Sequence, residues 1–184
     1  MSGLIVLMIL VSLLIIAILC AAALVAANTS ITQRTLQVEI VINASATDVW
    51  KVLTDFDEYP QWNPSIRQVT GKAEPGEKLK MEMHLGNRTM TIRPTVLFEQ
   101  PQRELRWLGH LFIPGVFDGE HSFVIEPLGE RKVRFIQSEE FNGLLIPFSK
   151  SLLNETEQNF NEMNRALKER AEQINEKRTA ILLQ

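Results

Sequence analysis

Two residues of opposite acid–base character, His121 and Glu139, are the candidates for chemistry in this sequence. Each lies in phase with apolar neighbours in an alternating pattern, so both side chains are predicted to face the interior of the protein. If Ile125 pairs with Val133 across the intervening turn, His121 lies opposite Gln137 and diagonal to Glu139. A histidine and a carboxylate inside an apolar cavity can orient a polar ligand group, or act as general acid and base.

The same pair also has a structural interpretation, which we favour. His121 and Glu139 can satisfy each other's hydrogen bonds, or they can sit in water at a rim beside Gly119. Buried polar networks place such pairs inside proteins without any catalysis. The sequence therefore predicts a binding protein, with an acid–base enzyme as the alternative.

The sequence lacks the residue patterns expected of a metal site, a phosphate-binding loop or a nucleophilic serine. The remaining histidines, His84 and His110, are predicted to face outward and have no metal-ligand spacing, and Cys20 is the only cysteine. There is no glycine-rich phosphate loop and no Gly-x-Ser-x-Gly elbow. We therefore expect neither a metal nor a cofactor. The formal net charge of -3 argues against a nucleic-acid partner.

The elements that must position the pair are alternating strands and one long helix. Apolar residues recur at every second position from 36 to 42 and in several segments from 65 to 141, which predicts antiparallel strands with one dry face. Ser45 or Thr47 can cap a helical segment after the first strand. The predicted order is a strand, a helical segment, about six strands and a long helix, without βαβ units. We predict an α+β fold in which a curved antiparallel sheet wraps around the C-terminal helix.

The long helix is predicted over 148–174. It carries a one-sided stripe of residues spaced three or four apart: Leu152, Thr156, Phe160, Met163, Leu167, Ala171 and Ile174. Such a stripe must be buried. We interpret it as one wall of a cavity, where Phe160, Met163 and Leu167 meet a ligand that the sheet cannot enclose alone.

The inner face of the predicted sheet is rich in methionine and aromatic residues. Methionine adapts its shape and often lines surfaces that accept varied apolar partners, although any single methionine is more often a core residue. The predicted lining residues are Trp62, Met81, Met83, Met90, Ile92, Trp107, Phe123, Phe135, Phe160, Met163 and Leu167. As a group they suit a cavity for a hydrophobic small molecule.

The segment 3–27 is apolar, with Ser12 as its only polar side chain. About 25 helical residues span roughly 37 Å, enough for a hydrocarbon core of about 30 Å. A cleaved signal peptide is the alternative, since small residues end the segment, but no basic residue precedes its long apolar core. We favour a single-pass membrane anchor. Because Arg34 and Lys51 follow the segment, a cytoplasmic domain is expected.

The predicted organisation has four parts. An anchor at 3–27 is followed by a linker at 28–35, a domain at 36–175 and a tail at 176–184. Residues 181–183 of the tail can continue the helix or touch the membrane. The sequence predicts no oligomeric state.

Specific local sequences resemble the SRPBCC superfamily with its START-like, helix-grip fold, and within it the polyketide cyclase/dehydrase and lipid-transport branch. They are DVWKVLTDF at 48–56, YPQWNP at 59–64, GEHSF at 119–123, EEFNG at 139–143 and NFNEMN at 159–164. The resemblance covers 36–174. It implies a deep apolar cavity between sheet and helix for lipids, isoprenoids or polyketide-like molecules. The branch also implies a cyclase or dehydratase as the alternative function.

Overall fold

The structure, a computed structural model, describes the backbone of residues 2–27, 32–85 and 88–182. Side chains are described for residues 3, 5–21, 32–84 and 89–177. The helices are α1 (Ser2–Ala27), α2 (Ala46–Thr54), α3 (Tyr59–Trp62) and α4 (Lys150–Leu182), with 3-10 turns at Phe56–Glu58 and Ile146–Phe148. The strands are β1 (Gln33–Ile42), β2 (Ile66–Thr70), β3 (Lys80–Leu85), β4 (Arg88–Ile92), β5 (Thr95–Gln100), β6 (Glu104–His110), β7 (Asp118–Gly129) and β8 (Lys132–Asn142).

The strands form two antiparallel sheets. One has the order β1-β8-β7-β6-β5, and the other has the order β2-β3-β4. Pro94 lies between β4 and β5, where the chain passes from one sheet to the other, and its carbonyl accepts a hydrogen bond from the Leu79 amide at 2.9 Å. Proline has no N–H for a strand ladder, which explains the break. The predicted α+β fold is confirmed, but the strands are divided between two sheets rather than forming one.

The register of β7 and β8 corrects one prediction. Ile125 pairs with Phe135 rather than with Val133, and His121 consequently lies directly opposite Glu139. The two strands continue past Pro127, where the register shifts, to a tight turn between Gly129 and Lys132. The sequence analysis treated these residues as a longer turn, and this moved the expected partner of His121 by two positions.

The apolar stripe of α4 packs against the larger sheet and α2. Met163, Leu167 and Ala171 are buried in the same hydrophobic cluster as Phe123 and Phe135. Ser45 caps α2, since its side chain accepts a hydrogen bond from the Asp48 amide. The sequence had left Ser45 and Thr47 open as alternatives.

A polar clasp fastens the C-terminal half of α4 to the end of β1. Lys168 Nζ donates to the Val41 carbonyl at 2.8 Å and to Glu172 at 2.6 Å, and Glu172 also accepts from the Asn43 amide at 2.7 Å. Partial burial raises the pKa of Glu172, but these hydrogen bonds and the Lys168 charge outweigh it. The net pKa therefore lies below the usual value of 4.5. Arg170 adds an ion pair with Glu58 at 2.9 Å.

The boundaries of the domain differ from those predicted. β1 starts at Gln33, inside the predicted linker of 28–35, because its first residues pair with the end of β8. α4 continues to Leu182 and so takes up most of the predicted tail of 176–184. Residues 28–31 and 183–184 lie outside the described residues.

The N-terminal segment is helical over Ser2–Ala27. The predicted span of 3–27 includes side chains outside the described set. Among the described residues, no helix is both long and apolar enough to cross a membrane. The transmembrane part of the prediction is therefore not confirmed by the structure.

Candidate ligand-binding cavity

A cavity of about 140 Å³ lies between the N-terminal half of α4 and the inner faces of both sheets. Its walls come from β2, β3, β4, β6, β7, β8 and α4, and they are mostly apolar. Two depressions of about 320 and 370 Å³ lie elsewhere, around residues 54–57 and 67–74, and are lined mainly by polar groups. They are larger, but only the first cavity has apolar walls formed by the protein's interior.

The structure places most of the predicted lining residues around this cavity. They are Met81, Met83, Met90, Ile92, Trp107, Phe160 and Met163. The remaining predicted residues are not part of the lining. Phe123, Phe135 and Leu167 are fully buried in the core cluster, and Trp62 packs against the ring of Tyr59 at 4.9 Å. These side chains fill space that the sequence analysis had assigned to a ligand.

His121 and Glu139 both line the cavity, together with a buried glutamine. The Nδ1 atom of His121 lies 3.5 Å from Glu139 Oε2. On its other side, Nε2 of His121 lies 3.0 Å from the amide nitrogen of Gln137. The donor and acceptor roles in this contact depend on the tautomer of His121 and on the orientation of the Gln137 amide.

One polar atom of this group has no partner. Gln137 is only 1% exposed, and its Oε1 accepts no hydrogen bond from any described residue. Reversing the amide exchanges its two atoms and leaves its nitrogen unpaired instead. Either way Gln137 presents a buried hydrogen-bonding atom beside the cavity, and such an atom costs about 1–3 kcal/mol while it remains unpaired.

The imidazole of His121 is held in place by aromatic rings. It stacks on Phe123 at a centroid distance of 4.4 Å and contacts Phe160 at 4.8 Å and Trp107 at 5.4 Å. Glu139 has its place because residue 119 is a glycine, since a Cβ there would overlap the Glu139 carboxylate. The missing side chain of Gly119 on β7 thus leaves the space that the Glu139 carboxylate occupies next to His121.

His110 was predicted to face outward, and its side chain is exposed at the end of β6. It also borders the cavity, and its Nδ1 lies 2.7 Å from Asp118 Oδ1. His84 lies 3.0 Å from the Thr89 hydroxyl and is not a lining residue.

Sequence reasoning missed several lining residues on α4 and at the strand ends. Thr156 was placed on the stripe but not in the cavity, and Asn159, Phe117 and Phe141 were not considered for it. Asn159 could have been predicted as a lining residue from its spacing. It lies three residues from Thr156 and four from Met163, and residues at these spacings share a helix face. Within the part of the chain with described side chains, no group of three or more side chains could hold a metal ion.

Residues 33–172 match the family described as polyketide cyclase / dehydrase and lipid transport. The chain belongs to this family. The match covers the domain from β1 through most of α4, which agrees with the resemblance carried by the local sequences. No curated protein sequence matches the chain significantly.

Solved structures show that this member of the polyketide cyclase/dehydrase family shares its fold with diverse proteins. The Zhui aromatase/cyclase from Streptomyces sp. R1128 is 18% identical, with a TM-score of 0.65 over 76% of this chain and 94% of that one. A START superfamily protein from Mycobacterium smegmatis is 23% identical, with a TM-score of 0.61 over 76% and 98%. Norcoclaurine synthase from Thalictrum flavum is 13% identical, with a TM-score of 0.64 over 78% and 96%. At such identities these similarities show the fold and not the activity.

Proposed function

We propose that this family member binds a small, largely apolar molecule that carries one hydrogen-bonding group. The apolar part occupies the methionine-lined cavity, and its polar group pairs with Gln137. The unpaired amide atom of Gln137 is the observation that carries this proposal. A hydroxyl or carbonyl group bound there would pair with the amide atom that no described residue satisfies.

The size of the cavity limits the ligand. Sites for drug-sized ligands typically enclose about 300–1,000 Å³, whereas a cavity of about 150 Å³ is enough for benzene. At about 140 Å³ the cavity accepts one ring, or the end of a longer molecule whose remainder extends outward. Phe123, Phe135 and Leu167 are buried in the core cluster and are not among the residues that line this cavity.

Filling the cavity tests this function. Thr156 lines it from α4, so Thr156→Phe places a ring in the space where the ligand is proposed to bind, whereas Thr156→Val keeps the size of the original side chain. The full chain and both variants are extracted from their own membranes and analysed by untargeted mass spectrometry. We expect the same small molecule with the wild type and Thr156→Val, and its loss with Thr156→Phe. Finding no molecule that distinguishes Thr156→Phe from the other two would refute the proposal.

A second candidate function is acid–base catalysis on the bound molecule. The direct pairing of His121 with Glu139 inside the cavity favours it, because a base oriented by a carboxylate is a common catalytic arrangement. His121 would accept a proton from the carbon next to a ligand carbonyl through Nε2, which requires Gln137 to give up its contact with that nitrogen. The Zhui aromatase/cyclase has the same fold, which is consistent with this candidate.

Separate measurements of binding and turnover distinguish the two functions. The ligand identified by mass spectrometry is incubated with the wild type, His121→Gln and Glu139→Gln, and the products are followed over time. Catalysis predicts that His121→Gln loses at least ~100-fold in turnover while binding persists. A ligand recovered unchanged from the wild type would leave binding as the function.

We further propose that α1 anchors the domain to a membrane, with the domain on the cytoplasmic side. The described side chains from Ile5 to Leu19 support this, since the large apolar ones are 47–63% exposed. A helix that is apolar all round fits lipid better than water. We expect the full chain to stay in the membrane after an alkaline carbonate wash, and Leu10→Arg with Leu14→Arg to release it. Release of the wild type by the wash would contradict anchoring.

A further inference from the structure

Two loops beside the cavity consist almost entirely of apolar residues. The segment 111–117 (LFIPGVF) joins β6 to β7, and the segment 143–149 (GLLIPFS) joins β8 to α4; neither contains a charged residue. Five of their large apolar side chains are exposed, and together they form a surface that we call the apolar tip: Phe112, Ile113, Leu144, Leu145 and Phe148. Phe112 is 73% exposed and Phe148 is 85% exposed. Clustered exposure of this kind usually marks an interaction surface.

The apolar tip is built by hydrogen bonds between the two loops. The amides of Leu144 and Leu145 donate to the carbonyls of Gly115 and Val116 at 3.2 and 3.1 Å. Phe112 adopts a left-handed conformation, with φ of 75°, which costs free energy for any residue that has a Cβ. The fold therefore holds the Phe112 ring in an exposed position by a specific backbone conformation, as is typical of functional loops.

The apolar tip lies over the cavity. Leu111 and Phe117, which flank the exposed residues of the first loop, are cavity-lining residues, and Phe117 packs with Phe141 and Ile146 in a small cluster below the second loop. Leu152, one turn into α4, lines the cavity as well. Any surface that contacts the apolar tip is thus separated from the cavity by a single layer of side chains.

The chain enters the domain at the same place. The Gly143 amide donates to the Thr32 carbonyl at 3.0 Å, so the residue before β1 lies against the second loop. Ala27 ends α1, and five residue steps separate it from Thr32. At about 3.3–3.6 Å per residue, these steps reach at most about 18 Å. The end of the apolar helix is thus confined to the neighbourhood of the apolar tip.

We propose that the apolar tip docks on the surface of the lipid bilayer that holds α1, so that the cavity exchanges its ligand with the membrane rather than with bulk water. A bilayer is the occupant favoured by the short tether from the apolar helix and by the absence of charge from both loops. This docking rests on the proposed anchoring by α1, which brings the apolar tip to the bilayer. Anchoring and docking can be measured separately.

Lipid-borne quenchers test the docking. Single cysteines replace Ile113 or Phe148 in the full chain carrying Cys20→Ser, and each is labelled with nitrobenzoxadiazole. Leu128→Cys is the matched control, since Leu128 is also exposed but lies at the far end of β7 from the apolar tip. The proteins are reconstituted into vesicles of phosphatidylcholine and phosphatidylglycerol, with or without lipids bearing a nitroxide on the acyl chain. Flotation with the vesicles reports anchoring by α1, independently of the fluorescence.

We expect the nitroxide lipids to reduce the fluorescence at positions 113 and 148 at least twofold and to leave that at position 128 unchanged. Chains that float while positions 113 and 148 remain unquenched would overturn the docking but not the anchoring. A blue-shifted yet unquenched probe would mean that protein, such as a second copy of the chain, covers the apolar tip, and it would overturn the proposal too. Equal quenching at all three positions would rule out the proposed orientation. If the chains do not float with the vesicles, both the anchoring by α1 and the docking of the apolar tip are overturned.

Discussion

Among single residues, we expect Gln137 to determine how the cavity distinguishes ligands. Its amide is shared between His121 and the cavity, and it also approaches the Met163 sulfur at 3.7 Å. An apolar ligand gains only the contact with the walls, whereas a ligand with a hydroxyl group also satisfies the buried amide. Asn159 also lines the cavity with a buried Nδ2 that no described residue pairs, so a ligand can meet a second polar group there.

Replacing Gln137 by the apolar Met tests this selectivity. Phenol and toluene have nearly the same shape and differ in one hydroxyl group. In the wild type we expect phenol to bind ~5–10-fold more tightly than toluene, corresponding to about 1–1.4 kcal/mol. In Gln137→Met the two affinities should become equal, as measured by titration with NMR detection. A preference for phenol that persists in Gln137→Met would show that another group binds the hydroxyl.

Gly119 is predicted to control the contact between His121 and Glu139. In Gly119→Ala the new methyl group must push the Glu139 carboxylate aside, because a Cβ there would overlap it. The end of a glutamate can rotate away, so we expect a stability loss of no more than about 1 kcal/mol, below the usual cost of overpacking. The nitrogen chemical shifts of the His121 ring should change, as recorded by NMR. Gly129→Ala, where a Cβ meets nothing within 4 Å, is the control and should change neither property.

Among the secondary-structure elements, α4 has two halves that contact the rest of the domain in different ways. Lys168, Arg170 and Glu172 fasten its C-terminal half to other parts of the domain. Its N-terminal half contributes Leu152, Thr156 and Phe160 to the cavity wall. We therefore expect a ligand that enters between helix and sheet to displace the first half of α4 and to leave the second half in place.

Hydrogen exchange tests this division. Mass spectrometry of peptides should show faster exchange for residues 150–160 than for residues 163–175, because a segment that lines a cavity is less tightly packed. Thr156→Phe fills the space and should slow exchange in the first segment only. Equal protection of both segments in the wild type would contradict the division.

The pKa of Glu172 makes the clasp sensitive to acid. Because its pKa is lowered on folding, Glu172 stabilises the protein above its unfolded pKa, and this contribution is lost as the pH falls below 4.5 toward the folded pKa. We expect Glu172→Gln to unfold at lower denaturant concentration than the wild type at pH 7, and the difference to shrink at pH 3. Urea unfolding at both pH values measures it. Glu169→Gln, an exposed site on the same helix, is the control and should show no such pH-dependent difference.

At the scale of the whole molecule, much of the fold follows from periodicity in the sequence. The two-residue alternation predicted antiparallel strands with one buried face, and the three-to-four-residue stripe predicted a long helix with one buried face. Together they predicted an α+β domain built around α4. The cap of α2 and the break at Pro94 also follow from local chemistry.

What could not be predicted depends on register and packing. The turn at Gly129–Lys132 shifted the partner of His121 by two residues, and local patterns do not determine how tight a hairpin is. Phe123, Phe135 and Leu167 have the same character as the cavity residues, and only their contacts reveal that they fill the core. The unpaired amide atom of Gln137 could not be predicted either, because the residues that surround it are brought together only by the folded chain.

The apolar features of the domain are concentrated at one end, and its charged turn lies at the other. The cavity, the apolar tip above it and the start of β1 all lie at one end of the larger sheet. The opposite end, with the turn between β7 and β8, carries charged residues such as Glu130, Arg131 and Lys132. If the apolar tip docks on a bilayer as proposed, this polarity would turn the charged end of the sheet away from the membrane.

Binding of phenol, followed at the methionine methyl groups, tests directly whether the cavity holds a small and largely apolar ligand. With ¹³C-labelled methionine in the full chain, phenol should shift the methyl resonances of Met81, Met83 and Met163 and show contacts to them in NMR spectra. Thr156→Phe should abolish these shifts, and Thr156→Val should retain them. Phenol that leaves the three methyl groups unchanged in the wild type, or shifts them equally in Thr156→Phe, would contradict the account.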